Sequence, residues 1–154
     1  MGVSVFLLKY RVPLRPKTPG LPWSWAATQD AQRAMGIVRG RAAEWKIDPH
    51  KIGFMGFSAG GHLSARMGTS WEHRIYDAVD EYDKVSCRPD VSLLIYPWAL
   101  CNPALHRLKA GIKVTERTPP AFIAGALDDT TAKPECSLLY DKHLKDARGP
   151  SQLH

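Results

Sequence analysis

The chain has 154 residues, of which 44% are hydrophobic and 23% charged, and its net charge is +6. Length and composition fit one globular domain with a sizeable core and exclude a low-complexity chain. No apolar run approaches the roughly 18 residues of a membrane span, and the positive charge comes without a helix-turn-helix, zinc-finger or aromatic stacking pattern, so neither a membrane nor a nucleic acid is an expected partner.

Residues 3–10, rich in Val, Phe and Leu, read as a buried strand. They have no basic segment ahead of them and no small-residue cleavage site, which argues against a signal peptide. Pro13, Pro16, Pro19 and Pro22 make 11–24 a loop. The recurrence of Ala27, Ala31, Ala34, Met35, Val38, Ala42 and Trp45 predicts a long helix over 25–46, ended by Asp48-Pro49. A strand over 51–57 and a helix from Ser58 to about residue 69 follow. The polar stretch 70–89 holds a short helix or an insertion near 77–83. Residues 91–97 are a buried strand, 98–117 are irregular and basic, and 121–127 form a strand stopped by Asp128-Asp129. A helix over 134–147 and the turn at Gly149-Pro150 lead to residues 151–154, which open one more strand.

Alternation of this kind predicts an α/β fold, a three-layer αβα sandwich on a mostly parallel sheet, as a single domain over 1–154. Ligands bind at the carboxyl ends of such strands. Ser58 and Asp128-Asp129 fall at two of these ends. Cys87, Cys101 and Cys136 are odd in number and lack CxxC spacing. That pattern argues against a disulfide framework and a zinc site and predicts ordinary thiols.

The chemistry centres on Gly56-Phe57-Ser58-Ala59-Gly60, a G-x-S-x-G pattern between an apolar strand and a helix. Such a turn pushes a serine hydroxyl out above the end of a sheet, and its glycines let the backbone bend without a side-chain clash. A serine nucleophile needs a base, usually His, and a carboxylate to orient it, in the chain order Ser, Asp/Glu, His. Asp128 or Asp129 fits the second place; aspartate there also serves as a turn or helix-cap residue. For the base only His143 and His154 follow. His143 sits inside a predicted helix and His154 in or entering a strand, so a catalytic His is expected to be absent, with His154 the remaining candidate. His62 is expected to pack or hydrogen-bond within the elbow helix. His50 is at the wrong end of the sheet, and His73 and His106 are out of order. The Ala59 N–H would stabilise an oxyanion. No Gly-rich loop precedes Ser58 to supply a second donor. No metal or organic cofactor is called for. Gly53-x-x-Gly56-x-x-x-Gly60 does not match the dinucleotide fingerprint G-x-G-x-x-G.

Several motifs occur in order along nearly the whole chain: Lys9-Tyr10-Arg11-Val12-Pro13, Gln29-Asp30-Ala31-Gln32-Arg33-Ala34, Arg41-Ala42-Ala43-Glu44-Trp45, Ile47-Asp48-Pro49, the elbow with Gly61-His62-Leu63, and Leu94-Ile95-Tyr96-Pro97. Together they resemble the α/β-hydrolase esterase/lipase group, in its branch labelled xylanase- or acetylxylan-esterase-like. The resemblance implies carboxylic-ester hydrolysis on a small ester or an acetylated carbohydrate. It also implies Asp129 as the triad acid. Two parts of the family pattern have no counterpart in the 154 residues: N-terminal strands with a His-Gly-Gly-like oxyanion loop, and a Gly-Gly-His-Gly-like segment carrying the triad His. The expectation is a hydrolase domain present in part, weak or inactive as this chain. A non-catalytic binding or scaffold protein that keeps the hydrolase core is the alternative.

Overall fold

The computed structural model describes residues 2–12 and 24–154. Four parallel strands form the main sheet: β1 (Gly53–Phe57), β2 (Val91–Ile95), β5 (Ala121–Ala124) and β6 (Ser151–Leu153), in the order β1-β2-β5-β6. Gly56, Leu94, Ile123 and Leu153 share one row across it. Among the described residues three α-helices accompany the sheet: α1 (Trp25–Gly40), α2 (Ala59–Thr69) and α3 (Pro134–Asp146). Among the described residues no helix is long and apolar enough to cross a membrane.

The strand order runs in one direction, and right-handed crossovers then place successive connecting helices on the same face. The packing agrees. Leu94 and Ile123 are buried with Ala65 of α2 and with Tyr140 and Leu144 of α3. Phe54 packs with Leu63 and Met67 of α2 and with Ala27, Ala31 and Met35 of α1. Of the three expected layers, the described residues supply the sheet and one helical layer. The opposite face carries Met55, Leu93 and Phe122 in one row and Phe57, Ile95 and Ala124 in the next. None of these six is buried, and Met55 and Phe57 are 53% and 51% exposed.

The expected strand over 3–10 is not formed. Leu8 and Tyr10 pack beside α1, and the Arg11 guanidinium pairs with Asp30 at 2.8 Å. Val3, Val5 and Leu7, however, are 82%, 84% and 98% exposed. A strand needs a neighbour for its N–H and C=O groups; β1 stands at the edge of the sheet, yet among the described strands it pairs only with β2. The expected loop over 11–24 lies in large part outside the described residues. The helix expected to reach residue 46 stops at Gly40 and continues as turns to Lys46, whose φ is 54°.

The stretch after α2 is held by charge. Arg33 of α1 bonds both oxygens of Asp80 at 2.6 and 2.5 Å, and Asp83 lies between Arg33 and Arg74. The excursion after β2 is more ordered than its sequence predicts. It folds back as the short hairpin β3 (Cys101–Asn102) and β4 (Arg107–Leu108). The expectation of ordinary thiols is corrected in part here. Cys101 and Cys136 form a disulfide between β3 and α3, and only Cys87 is free, buried with its thiol donating to the Trp71 carbonyl.

Candidate active site

Ser58 is the single residue between β1 and α2, at φ 51° and ψ −115°. A residue other than glycine resists a positive φ by about 1–3 kcal/mol, so the neighbours must hold it there. Its N–H donates to the Ile95 carbonyl at 3.0 Å. Its carbonyl accepts from the N–H groups of His62 and Trp98 at 3.1 and 3.0 Å. The backbone is thus tied to β2 and to the loop that follows it. Ala59 opens α2, and a first-turn N–H has no acceptor within its own helix.

The glycines do not share the work as the pattern predicts. A Cβ on Gly56 would lie 2.0 Å from the Gly60 carbonyl oxygen, so this position admits no side chain. A Cβ on Gly60 would meet nothing within 4 Å. The second tight glycine is Gly61, where a Cβ would approach the Pro97 Cα to 2.8 Å.

Asp129 lies just past β5, as expected, and is partly exposed. Its Oδ1 accepts from the N–H groups of Thr131 and Ala132 at 2.7 and 2.8 Å. This is the turn-closing role open to aspartate at such a place. His154 continues the β6 ladder, its N–H donating to the Ile123 carbonyl and its carbonyl accepting from Gly125. Its ring stacks on Phe122, 5.2 Å between centroids. It is therefore a strand-end residue, as the sequence indicates. His50, His73, His106 and His143 are exposed in turns, loops and α3. Among the described residues no side chain hydrogen-bonds the Ser58 hydroxyl. The structure brings Ser58, Ala59 and the strand ends together and joins neither Asp129 nor His154 to Ser58 by a hydrogen bond.

His62 is the buried titratable group nearest in sequence to the elbow, 3% exposed. Burial, with the positive charges of Arg66 and Lys109, outweighs its hydrogen bond to the Ala99 carbonyl and lowers its pKa from 6.5 to about 4. Between those values the unfolded chain takes up a proton that the folded chain refuses, so stability is full above pH 6.5 and falls as pH drops towards 4. The expected loss is about 3 kcal/mol. Asp83 acts lower. Burial alone would raise it, but the Tyr76 hydroxyl, the Val79 N–H and Arg33 hold it at about 2, so its contribution fades only below its ordinary value of 3.8. Urea unfolding at pH 7 and pH 4.5 separates the two. A loss in the wild type that His62→Asn does not reduce would show that another group titrates.

Residues 2–102 match the sequence model of the BD-FAE family. The chain is 34% identical over 151 residues to an acetylxylan esterase of Xylanibacter ruminicola, covering 83% of this chain and 27% of that protein. It is 28% identical over 167 residues to endo-1,4-β-xylanase B of Butyrivibrio fibrisolvens, covering 97% of this chain and 26% of that one. The chain thus spans about a quarter of the length of these curated relatives. Among solved structures, the acetyl ester-xyloside bifunctional hydrolase from Caldicellulosiruptor lactoaceticus superposes with a TM-score of 0.72 at 32% identity, over 94% of this chain and 57% of that one. MGS-M1, an α/β hydrolase enzyme from a Medee basin deep-sea metagenome library, gives 0.66 at 27% identity, over 84% and 47%. The strand order, the strained serine between β1 and α2 and these similarities agree: the fold is a partial α/β-hydrolase fold, and the chain belongs to the BD-FAE family.

Proposed function

We propose that the chain is the elbow-bearing part of a serine carboxylic-ester hydrolase acting on a small ester or an acetylated carbohydrate. The observation that carries this reading is Ser58 itself: a serine held at positive φ between a parallel strand and a helix. The acetylxylan esterase similarity supports the substrate class. In the reaction the Ser58 hydroxyl oxygen attacks the ester carbonyl and a histidine takes its proton. The Ala59 N–H donates to the oxyanion of the tetrahedral intermediate. The intermediate collapses, the alcohol leaves with the proton, and water then releases the acid from the acyl-enzyme. Asp129 orients the histidine.

The histidine and the second oxyanion donor belong, on this reading, to polypeptide outside the 154 residues. Two features support a domain present in part: among the described residues β1 has an unpaired edge with no charge or proline along it, and the sheet face opposite the helices is half-exposed and apolar. Natural edges and faces left to water are normally blunted or covered. Alone, the chain is expected to turn over p-nitrophenyl acetate weakly or not at all. Labelling by a fluorophosphonate, followed by mass mapping, tests the nucleophile. Label at Ser58, lost in Ser58→Ala, supports the reading; label at other serines at equal rate refutes it. An inert Ser58 in a chain rebuilt with the flanking segments would favour the scaffold alternative.

A further inference from the structure

Three residues other than glycine adopt positive φ in one patch: Ser58 at 51°, Tyr96 at 34° and Ala99 at 56°. They follow the carboxyl ends of β1 and β2, the side of the sheet where ligands bind. Strained positions persist only where the surroundings over-determine them. Tyr96 is held by its N–H donating to the Ala124 carbonyl at 2.6 Å. Pro97 rests against Gly61. Ala99 is held by a side chain, since its carbonyl lies 3.1 Å from His62 Nδ1.

These bonds close a circuit. The Trp98 N–H donates to the Ser58 carbonyl, and the His62 N–H donates to that same oxygen. The His62 ring then reaches the Ala99 carbonyl, one residue beyond Trp98. A carbonyl only accepts, so Nδ1 carries the proton. Nε2 lies 3.4 Å from the Ser24 hydroxyl, which joins the residue ahead of α1 to the same ring. Burial keeps the imidazole neutral near pH 7, which leaves Nε2 able to accept. An aliphatic side chain of similar size would fill the space and leave the Ala99 carbonyl unpaired, at the full cost of desolvation.

We infer that His62 is a positioning residue for Ser58: its ring fixes the 96–99 loop, and that loop, through the Trp98 N–H, holds the Ser58 main chain in its turn. The inference rests on Ser58 being the nucleophile only for its consequence in reactivity; the clamp itself is a matter of geometry. His62 is buried, 3% exposed, so the role inferred for it is positioning. Its effect is to keep the Ser58 hydroxyl and the Ala59 N–H in fixed relation.

The experiment compares the wild-type chain with His62→Leu and His62→Asn. Asparagine can donate from nearly the same place as Nδ1; leucine cannot. The main readout is amide hydrogen exchange, because it needs no turnover. In His62→Leu the Trp98 N–H is expected to exchange about tenfold faster, with the Leu94 N–H in mid-sheet unchanged, and His62→Asn should restore most of the protection. Equal exchange at Trp98 in all three, a uniform rise across the sheet, or no difference between Asn and Leu overturns the inference. Fluorophosphonate labelling of Ser58 should follow the same order. If the wild-type chain, lacking its base, is not labelled, the exchange readout decides the clamp by itself, and the nucleophile reading is judged on the chain rebuilt with its flanking segments. Should His62→Leu not fold, the wild-type chain decides alone. Its imidazole 15N shifts must show Nδ1 protonated and Nε2 bare near pH 7, and the opposite tautomer overturns the inference.

Discussion

Reducing the Cys101–Cys136 disulfide is expected to destabilise the chain by about 4 kcal/mol and to lower its melting temperature by on the order of 10 °C. The bond closes a loop with a sequence separation of 35. Cross-linking a loop of that length removes entropy from the unfolded chain, and the size of the effect follows from its length. Against a total stability of about 5–15 kcal/mol this is a large share. It is also placed where it matters. Cys101 lies on β3, in the excursion that begins with the 96–99 loop; Cys136 lies in the first turn of α3, just past the Asp129 turn. Both sulfurs sit in the core with Leu100, Ile112, Tyr140 and Leu144. Losing the bond therefore unties the loop that grips Ser58 from the helix that follows Asp129. The check has two parts. Thiol titration of the unfolded, unreduced chain should find one free cysteine, Cys87, and heating with and without reductant should show the shift. Three free thiols, or equal melting temperatures, would reject the prediction. Cys101→Ser should match the reduced wild type.

That bond also marks a limit of the sequence. Two cysteines 35 positions apart carry no local sign that folding brings their Cα atoms to 5.1 Å, and an odd count hides a pair when the third thiol is buried alone. Elements set by local pattern were legible. The apolar runs at 91–97 and 121–127 hold β2 and β5, which stop at Ile95 and Ala124, and the small-residue stretch after Ser58 became α2. Their order predicted a parallel sheet, and the sheet is parallel. Residues 3–10 have the composition of a strand too, yet pairing is decided by a partner far away in sequence, and β1 offers its second edge to none of the described strands.

Of the candidate site, the places of its residues along the fold were legible. Ser58, Ala59 and Asp129 fall at strand ends because punctuation by Gly and Asp fixes where strands stop. What the spacing could not carry is which groups touch. His62 is expected to pack or hydrogen-bond within the elbow helix; it is buried and its backbone bonds locally, and its ring also reaches across to Ala99, 37 residues on. Likewise Asp129, the triad acid that the family resemblance implies, closes the turn into α3 with its carboxylate. Roles of that kind depend on tertiary distance, which a motif does not encode.

The elbow glycines give the sharpest contrast between pattern and packing. Gly56→Ala is expected to cost at least about 4 kcal/mol, whereas Gly60→Ala should be neutral or stabilising by about 0.5 kcal/mol. Neither glycine needs a positive φ; among the described glycines only Gly111 has one. The strained conformation belongs to Ser58, so the glycines answer to space alone. At Gly56 the added methyl would meet backbone: the Gly60 carbonyl oxygen at 2.0 Å and its carbon at 2.2 Å. Backbone of a helix start cannot swing aside as a flexible side chain would, so β1 and α2 must part. That also moves Ser58, which sits between them. At Gly60 the methyl meets open space, inside the first turn of α2, where alanine is the better helix former. Urea unfolding of the two variants measures both effects, and fluorophosphonate labelling shows whether Ser58 has moved. If Gly56→Ala unfolds like the wild type, or if Gly60→Ala is the more damaging of the two, the close approach of β1 to α2 is wrong. The opposite pair of results would make the first glycine of the pattern a spacer between strand and helix, and the last one a matter of room for whatever approaches the serine.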